Sequence, residues 1–145
     1  MIRILTLMSV LIAAPATAQM AQFCDWVARA DGLVEPWEDH TRTFANGNVR
    51  LALMDTVEPA AGSFHILIIS PPLNELGERQ CKTVGMSENI GFSNVDFRSL
   101  EADYDPATGL IFRFDIETYN GEYPVPGRLK ISLNQATGDI RAELQ

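Results

Sequence analysis

Two histidines, His40 and His65, are the side chains of this sequence whose ordinary pKa lies nearest to neutral pH. A hydrolase would need one of them as a base beside a nucleophile or a carboxylate. His65 lies in the apolar run 64–69, which favours a buried, hydrogen-bonded core histidine. Ser87 follows the start of a Gly-x-Ser-x-Gly pattern, but Asn89 replaces the second glycine and no helix is predicted after it. The sequence therefore assigns no catalytic residue, and a hydrolase using His40 with carboxylates stays as an alternative.

His40 and Arg42 are the strongest candidates for a binding site. The dipeptide Asn46-Gly47 is typical of a two-residue hairpin turn. In that register His40 and Arg42 share a strand face with three apolar residues opposite them, Val49, Leu51 and Leu53. Burying a guanidinium is costly unless it is paired, so an inward pair would mark the lining of a ligand pocket. A loop one residue longer would turn both side chains into solvent, and the sequence leaves the two registers open.

Trp37 and Tyr123 are candidates for contact with a ligand or a partner, because both lie in loop-like segments. Trp26 lies in a stretch with helical spacing and is expected in the core. No zinc, Walker or dinucleotide pattern occurs in the sequence, and the acids around Asp103 do not follow the spacing of a calcium loop. We therefore expect no cofactor and no metal, with a weak cation site as the alternative, among Asp96, Glu101, Asp103 and Asp115.

Cys24 and Cys81 are the two cysteines of the chain. An even number of cysteines in an exported chain indicates a disulfide, and their wide separation excludes a Cys-x-x-Cys redox motif. The predicted bridge would tie the N-terminal segment to the middle of the domain. A loop of this length gives it a stabilising effect of about 4 kcal/mol.

The C-terminal third of the chain alternates apolar and polar residues, which predicts half-buried strands over residues 110–117, 129–134 and 140–144. If Leu133 pairs with Ile140, Lys130 faces Glu143. The turn that ends at Gly109 pairs Glu101 with Arg113 in the same way. In both registers apolar residues face apolar residues and each charge faces an opposite charge, which supports an antiparallel meander.

Further strands are predicted earlier in the chain, over residues 40–44, 49–56, 64–69, 79–86 and 90–97. The run 64–69 is apolar on both faces and is expected to be a central strand with both faces covered, ending at Pro71-Pro72. Residues 21–30 have helical spacing and predict a short N-terminal helix. The fold class is all-β, a single small antiparallel barrel or two-sheet sandwich of about eight strands.

The N-terminus has the features of a cleaved signal peptide. Arg3 precedes an apolar run that ends at Ala14, and Ala16-Thr17-Ala18 forms a small-x-small cleavage pattern. We expect cleavage after Ala18, which leaves residues 19–145 as a single domain in the periplasm or outside the cell. The apolar run is shorter than the ~20 residues that span a bilayer, so no membrane span is expected in the mature form.

The formal net charge of −8 makes nucleic acid a poor partner, because phosphates are repelled and no basic cluster offsets the charge. With no catalytic set, the sequence favours a non-catalytic exported domain that binds a small apolar ligand or a protein. The first alternative is the hydrolase, and the second is a structural or inhibitory protein acting through an exposed strand edge.

Overall fold

The computed structural model describes residues 21–145 and the backbone of Ala18–Gln19. In this part of the chain, ten strands form two antiparallel sheets. The strands are β1 Ala18–Gln19, β2 Ala21–Phe23, β3 Thr41–Phe44, β4 Val49–Asp55, β5 Phe64–Leu73, β6 Arg79–Val84, β7 Asn94–Asp105, β8 Gly109–Tyr119, β9 Pro124–Leu133 and β10 Ile140–Leu144. Sheet A has the order β1-β10-β9-β8-β7 and sheet B the order β2-β6-β5-β4-β3.

The all-β prediction is confirmed, and the two separate sheets make the fold a sandwich rather than a closed barrel. The predicted signal peptide, residues 1–18, lies outside the described residues except for the backbone of Ala18. Helical structure in residues 21–145 consists of short 3₁₀ turns at Trp26–Ala28 and Ala30–Gly32 and the single-turn helix α1, Trp37–His40. None of these is long enough to cross a membrane.

The main core fills the space between the two sheets. Each strand contributes alternate side chains to it, as the period of two in the sequence requires. Phe112 and Phe114 from β8 meet Leu51 from β4 and Ile66 and Ile68 from β5, all of them fully buried. The ring of Phe44 lies 4.8 Å from that of Phe112, so the edge strand β3 also packs onto the core.

The predicted C-terminal registers are confirmed. Leu133 pairs with Ile140, which places Lys130 opposite Glu143, and the Lys130 Nζ lies 2.7 Å from a Glu143 carboxylate oxygen. Glu101 is opposite Arg113 as expected. Charge pairing and apolar alternation were therefore sufficient to determine this register.

Sheet B is covered on both faces. Its outer face carries a second, smaller cluster in which Ala52, Met54 and Leu67 pack beneath the segment from Cys24 to Leu33. The disulfide between Cys24 and Cys81 joins that segment to β6, with a Cα–Cα distance of 5.3 Å. The predictions of a doubly covered β5 and of the bridge are both confirmed, because an apolar run can stay dry on both sides only if a further layer covers the sheet.

The continuous helix predicted over residues 21–30 is wrong in detail. Ala21–Phe23 forms strand β2 against β6, and the Asp25 side chain accepts a hydrogen bond from the Val27 amide at the start of a 3₁₀ turn. Val27 is buried, whereas Trp26 is about half exposed rather than in the core. A helix of two or three turns is marginal without packing, and the strand pairing and the disulfide hold this backbone in another form.

Strand β5 does not end before Pro71-Pro72. It continues to Leu73, and the register with β6 shifts between Ser70 and Leu73. Prolines are tolerated where the ladder is interrupted by a bulge, because no amide donor is needed there. The prolines therefore mark the bulge rather than the end of the strand.

Candidate functional site

Three loops meet at one end of sheet B: the N-terminal segment 24–34, the β4–β5 loop 56–63 and the β6–β7 loop 85–93. We call this region the loop end. The Gly91 amide donates to the Gly62 carbonyl at 2.7 Å, which ties the second loop to the third. The Trp26 indole Nε1 donates to the Asn89 side-chain oxygen at 3.3 Å, which ties the first loop to the third. Binding residues are often found on loops that a rigid scaffold holds in this way.

Glycines allow the loops to pack tightly over His65. A Cβ atom at Gly85 would lie 2.8 Å from the His65 Cδ2, and one at Gly91 would lie 2.8 Å from the His65 Cε1. Gly91 also contacts the Phe64 backbone so closely that any side chain would clash with it. Close backbone approach is a position where glycine is required, and here it shapes the floor of the loop end.

His65 is 2% exposed, and its Nδ1 lies 3.1 Å from the Ser63 carbonyl oxygen. Burial lowers the pKa of His65 below its usual value, while the Ser63 carbonyl and the charges of Asp25 and Asp55 act in the opposite direction. The neutral ring then donates from Nδ1 to Ser63. Within residues 21–145 its Nε2 has no hydrogen-bond partner. The prediction of a buried, hydrogen-bonded core histidine is confirmed, and such a position does not suit proton exchange with a substrate.

A cleft of about 130 Å³ opens at the loop end, between the N-terminal segment and the β4–β5 loop. Its walls include the indole of Trp26 and the carboxylates of Asp31 and Asp55. The Arg29 guanidinium also lies on the wall, 2.6 Å from the Asp31 carboxylate. The cleft therefore combines an aromatic surface with an excess of negative charge.

Val57 stands at the mouth of this cleft in an unusual conformation. Its φ is +68°, in the left-handed region that β-branched residues rarely adopt, and its amide donates to the Asp55 Oδ1 at 2.8 Å. Its side chain is nevertheless 69% exposed. Strained backbone of this kind is concentrated at functional sites.

Three exposed apolar side chains surround the loop end, and we call them the apolar rim: Trp26, Val57 and Ile90. Trp26 and Ile90 are each 49% exposed. Ile90 lies over Gly62, since a Cβ on that glycine would be 2.8 Å from the Ile90 side chain. One apolar side chain on a surface is unremarkable, whereas several exposed on adjoining loops are a feature of interaction sites.

The structure places the candidates His40 and Arg42 at another edge of the sandwich. Of the two registers that the sequence left open, the structure has that of the two-residue turn, with Arg42 opposite Leu51 and Phe44 opposite Val49. The inward pocket expected from it is not formed, because β3 is an edge strand and Phe97 occupies the adjacent space. The His40 and Phe97 ring centroids are 6.3 Å apart, and the Arg42 guanidinium lies 6.0 Å from the same ring.

Both side chains bond to backbone rather than to carboxylates. The His40 Nδ1 lies 3.1 Å from the Pro36 carbonyl oxygen, and the exposed Arg42 donates to the carbonyl of Glu38 at 2.8 Å. Among residues 21–145, no carboxylate hydrogen-bonds to His40. The convergence of histidine and acid that a hydrolase needs is thus not present in the described structure.

Trp37 and Tyr123 are exposed, as expected for residues outside the core, and they lie on separate elements. Trp37 begins α1, where its carbonyl accepts from the Thr41 hydroxyl, and Tyr123 lies in the turn between β8 and β9. Trp37 adjoins His40 and Arg42 along the chain. The backbone of Tyr123 hydrogen-bonds to Asn120 within its own turn, and not to Trp37, His40 or Arg42. The four candidates therefore do not form one site.

The outer face of sheet A carries a wide charged groove. Asp96 and Asp115 are directly opposite in the ladder, and Arg128 stands opposite Asp115 on the next strand. Arg128 forms ion pairs with Glu101 and Asp115, so the cation that balances these acids is a side chain. The described residues contain no group of three potential ligands that could hold a metal ion.

The loop end was missed at the sequence level because its parts are far apart in the chain. The signals that could have indicated it were Gly85 and Gly91 on either side of an exposed turn, and an Asp followed by Thr-Val at the end of β4. Comparison of the chain with known protein families, with characterised proteins and with solved structures gives no match.

Proposed function

We propose that this protein is an exported, non-catalytic module that binds a protein partner at the loop end. The observation that carries the proposal is the apolar rim at the loop end, where Trp26 and Val57 line an acidic cleft and Ile90 is exposed on the β6–β7 loop. Aromatic residues at the centre of interfaces supply much of the binding energy of protein complexes. The disulfide and the tight glycine packing hold this surface in place before binding, which lowers the entropic cost of association.

The dimensions of the cleft favour a protein over a free small molecule. Ligand pockets usually enclose roughly 300–1,000 Å³. The cleft at the loop end has about 130 Å³, which suits one inserted side chain. The space between the sheets is filled by large side chains such as Phe112 and Phe114, so it offers no room for the apolar ligand considered from the sequence.

The charge of the cleft indicates the kind of side chain that would enter it. Asp31 and Asp55 lie on its walls with Asp25 nearby, and Arg29 is already paired with Asp31. A lysine or arginine of the partner would meet these carboxylates and the face of Trp26, which attracts cations. The net charge of −8 would also favour encounter with a basic surface.

Photo-crosslinking in the native cells tests the proposal. A photoreactive amino acid placed at Val57 should give an adduct of defined mass, whereas the same residue at Tyr104 should not. Tyr104 is a matched control, because it is similarly exposed but lies at the far end of β7. Adding Asp55→Asn or Trp26→Ala to the protein that carries the photoreactive residue at position 57 should abolish the adduct while the protein stays folded.

The identified partner should then bind the purified protein with an affinity that falls as salt is added, because exposed charges are screened. Trp26→Ala should weaken that binding by about tenfold or more. Adducts that are absent at position 57, or equal at positions 57 and 104, would contradict the proposal.

A further inference from the structure

Strand β10 lies at the side of sheet A and is covered along only part of its length in the described structure. Ala18 pairs with Glu143 and Gln19 pairs with Ala142, and β1 has no further residues. If the signal peptide is cleaved after Ala18, one of these two residues is removed and the other becomes the chain terminus. Terminal residues fray readily, so the mature protein would expose nearly the whole edge of β10.

The backbone of β10 determines which groups that edge presents. The Gln145 amide donates to the Arg128 carbonyl, and the Asn134 amide donates to the Asp139 carbonyl. Hydrogen bonding alternates along an antiparallel strand, so the odd-numbered residues of this segment bond to β9. The amides and carbonyls of Ile140, Ala142 and Leu144 therefore point away from β9, toward the open edge.

The side chains of β10 are complementary to a second copy of themselves. An antiparallel copy centred on Ala142 brings Ile140 opposite Leu144 and Arg141 opposite Glu143, on both sides of the centre. Ala142 is buried, and Ile140 and Leu144 pack against the main core, so the apolar pair would extend that core. Apolar pairs and pairs of opposite charge are the ones that stabilise neighbouring antiparallel strands.

We propose that a second copy of this chain adds to sheet A through β10, with the two-fold axis at Ala142, once the residues before Gln19 are removed. In this arrangement Ala142 pairs with Ala142 of the second copy, and each outward-facing pair exchanges both of its backbone hydrogen bonds. The interface is isologous, since the same strand serves both copies. The proposal rests on the predicted cleavage, and it is independent of the partner proposed for the loop end.

Charge reversal on β10 gives a sharp test, using chains that begin at Gln19. Sedimentation and native mass spectrometry should detect a dimer of the wild-type chain. Arg141→Glu places two acids opposite each other, and Glu143→Arg places two arginines opposite each other, so each single variant should dimerise about tenfold or more weakly.

Two restored combinations distinguish strand pairing from a loss of folding. A mixture of the Arg141→Glu and Glu143→Arg chains should form a heterodimer, because each then offers the charges that the other lacks. The double variant should form a homodimer again, since its edge is once more self-complementary. A chain that begins at Pro15 keeps Ala18 and Gln19 on β10 and should remain monomeric.

Several results would overturn the proposal. They are a wild-type chain that stays monomeric at the highest soluble concentration, a dimer that the single charge reversals leave unchanged, or folded single variants that fail to associate when mixed. Unfolding midpoints of every variant establish that each is folded before its association is measured.

Discussion

The outer faces of the two sheets differ in how they meet their surroundings. On sheet B, Met54 and Leu67 lie beneath the segment from Cys24 to Leu33 and are removed from water. On sheet A the equivalent positions carry charged side chains that form ion pairs in solvent, Arg128 with Asp115 and Lys130 with Glu143. Sheet B is thus covered on both faces, by sheet A and by the N-terminal segment, whereas sheet A is covered on one face. We expect the outer faces of the two sheets to respond differently to substitution.

The largest effect should come from removing the disulfide that holds the third layer. Cys24→Ala with Cys81→Ala should lower the free energy of unfolding by about 4 kcal/mol, because the unfolded chain regains the entropy that a long loop loses on closure. Denaturant unfolding of the double variant and of the wild type measures this difference. An equal stability of the two proteins would mean that packing alone holds the segment on sheet B.

A smaller effect should follow from truncation beneath the third layer, compared with truncation on the bare face. Met54→Ala should cost about 2–3 kcal/mol, because it leaves a cavity between sheet B and the N-terminal segment. Arg113→Ala, on the outer face of sheet A, is the matched control and should change the free energy of unfolding by less than about 0.5 kcal/mol. Similar costs at the two positions would contradict the distinction between the faces.

The smallest and most specific effect should be the pH dependence contributed by His65. Burial holds its pKa in the folded state below the usual 6.5, so the unfolded state takes up the proton first as the pH falls. The stability that depends on neutral His65 is complete at pH values above the usual 6.5. It is lost as the pH falls from there toward the pKa of His65 in the folded state. His65→Gln should therefore lose less stability than the wild type between neutral and mildly acidic pH.

The measurement is denaturant unfolding of both proteins at a series of pH values, from which the difference isolates His65 from the carboxylates. Parallel curves for wild type and His65→Gln would contradict the assignment of a buried neutral ring. The comparison also reports on the loop end, because the same ring lies beneath Gly85 and Gly91.

The sequence correctly predicted the features that depend on neighbouring strands, such as strand register. The pairing of Lys130 with Glu143 and the double coverage of β5 follow from alternation and from charge, both of which are local. The disulfide was predicted because the chain has just two cysteines. These features need no knowledge of how distant segments meet.

What the sequence did not predict depends on distant contacts. Residues 21–30 have helical spacing, yet pairing with β6 and the bridge to Cys81 impose a strand and 3₁₀ turns. The register of Arg42 was left open by the sequence, and the ring that its guanidinium contacts, Phe97, comes from the other sheet. The loop end combines three segments separated by tens of residues, and no local pattern reports on such an assembly.

The strand order also has a consequence for the sequence of events during folding. Strands β3 to β6 and β7 to β10 are each joined by successive hairpins, and contacts of this short range form early. Strands β1 and β2 are made first but pair with β10 and β6, so they must wait for the last strand of each meander. The segment that carries β2 therefore waits for β6, and until then Cys24 is an unpaired thiol, open to mispairing with other proteins.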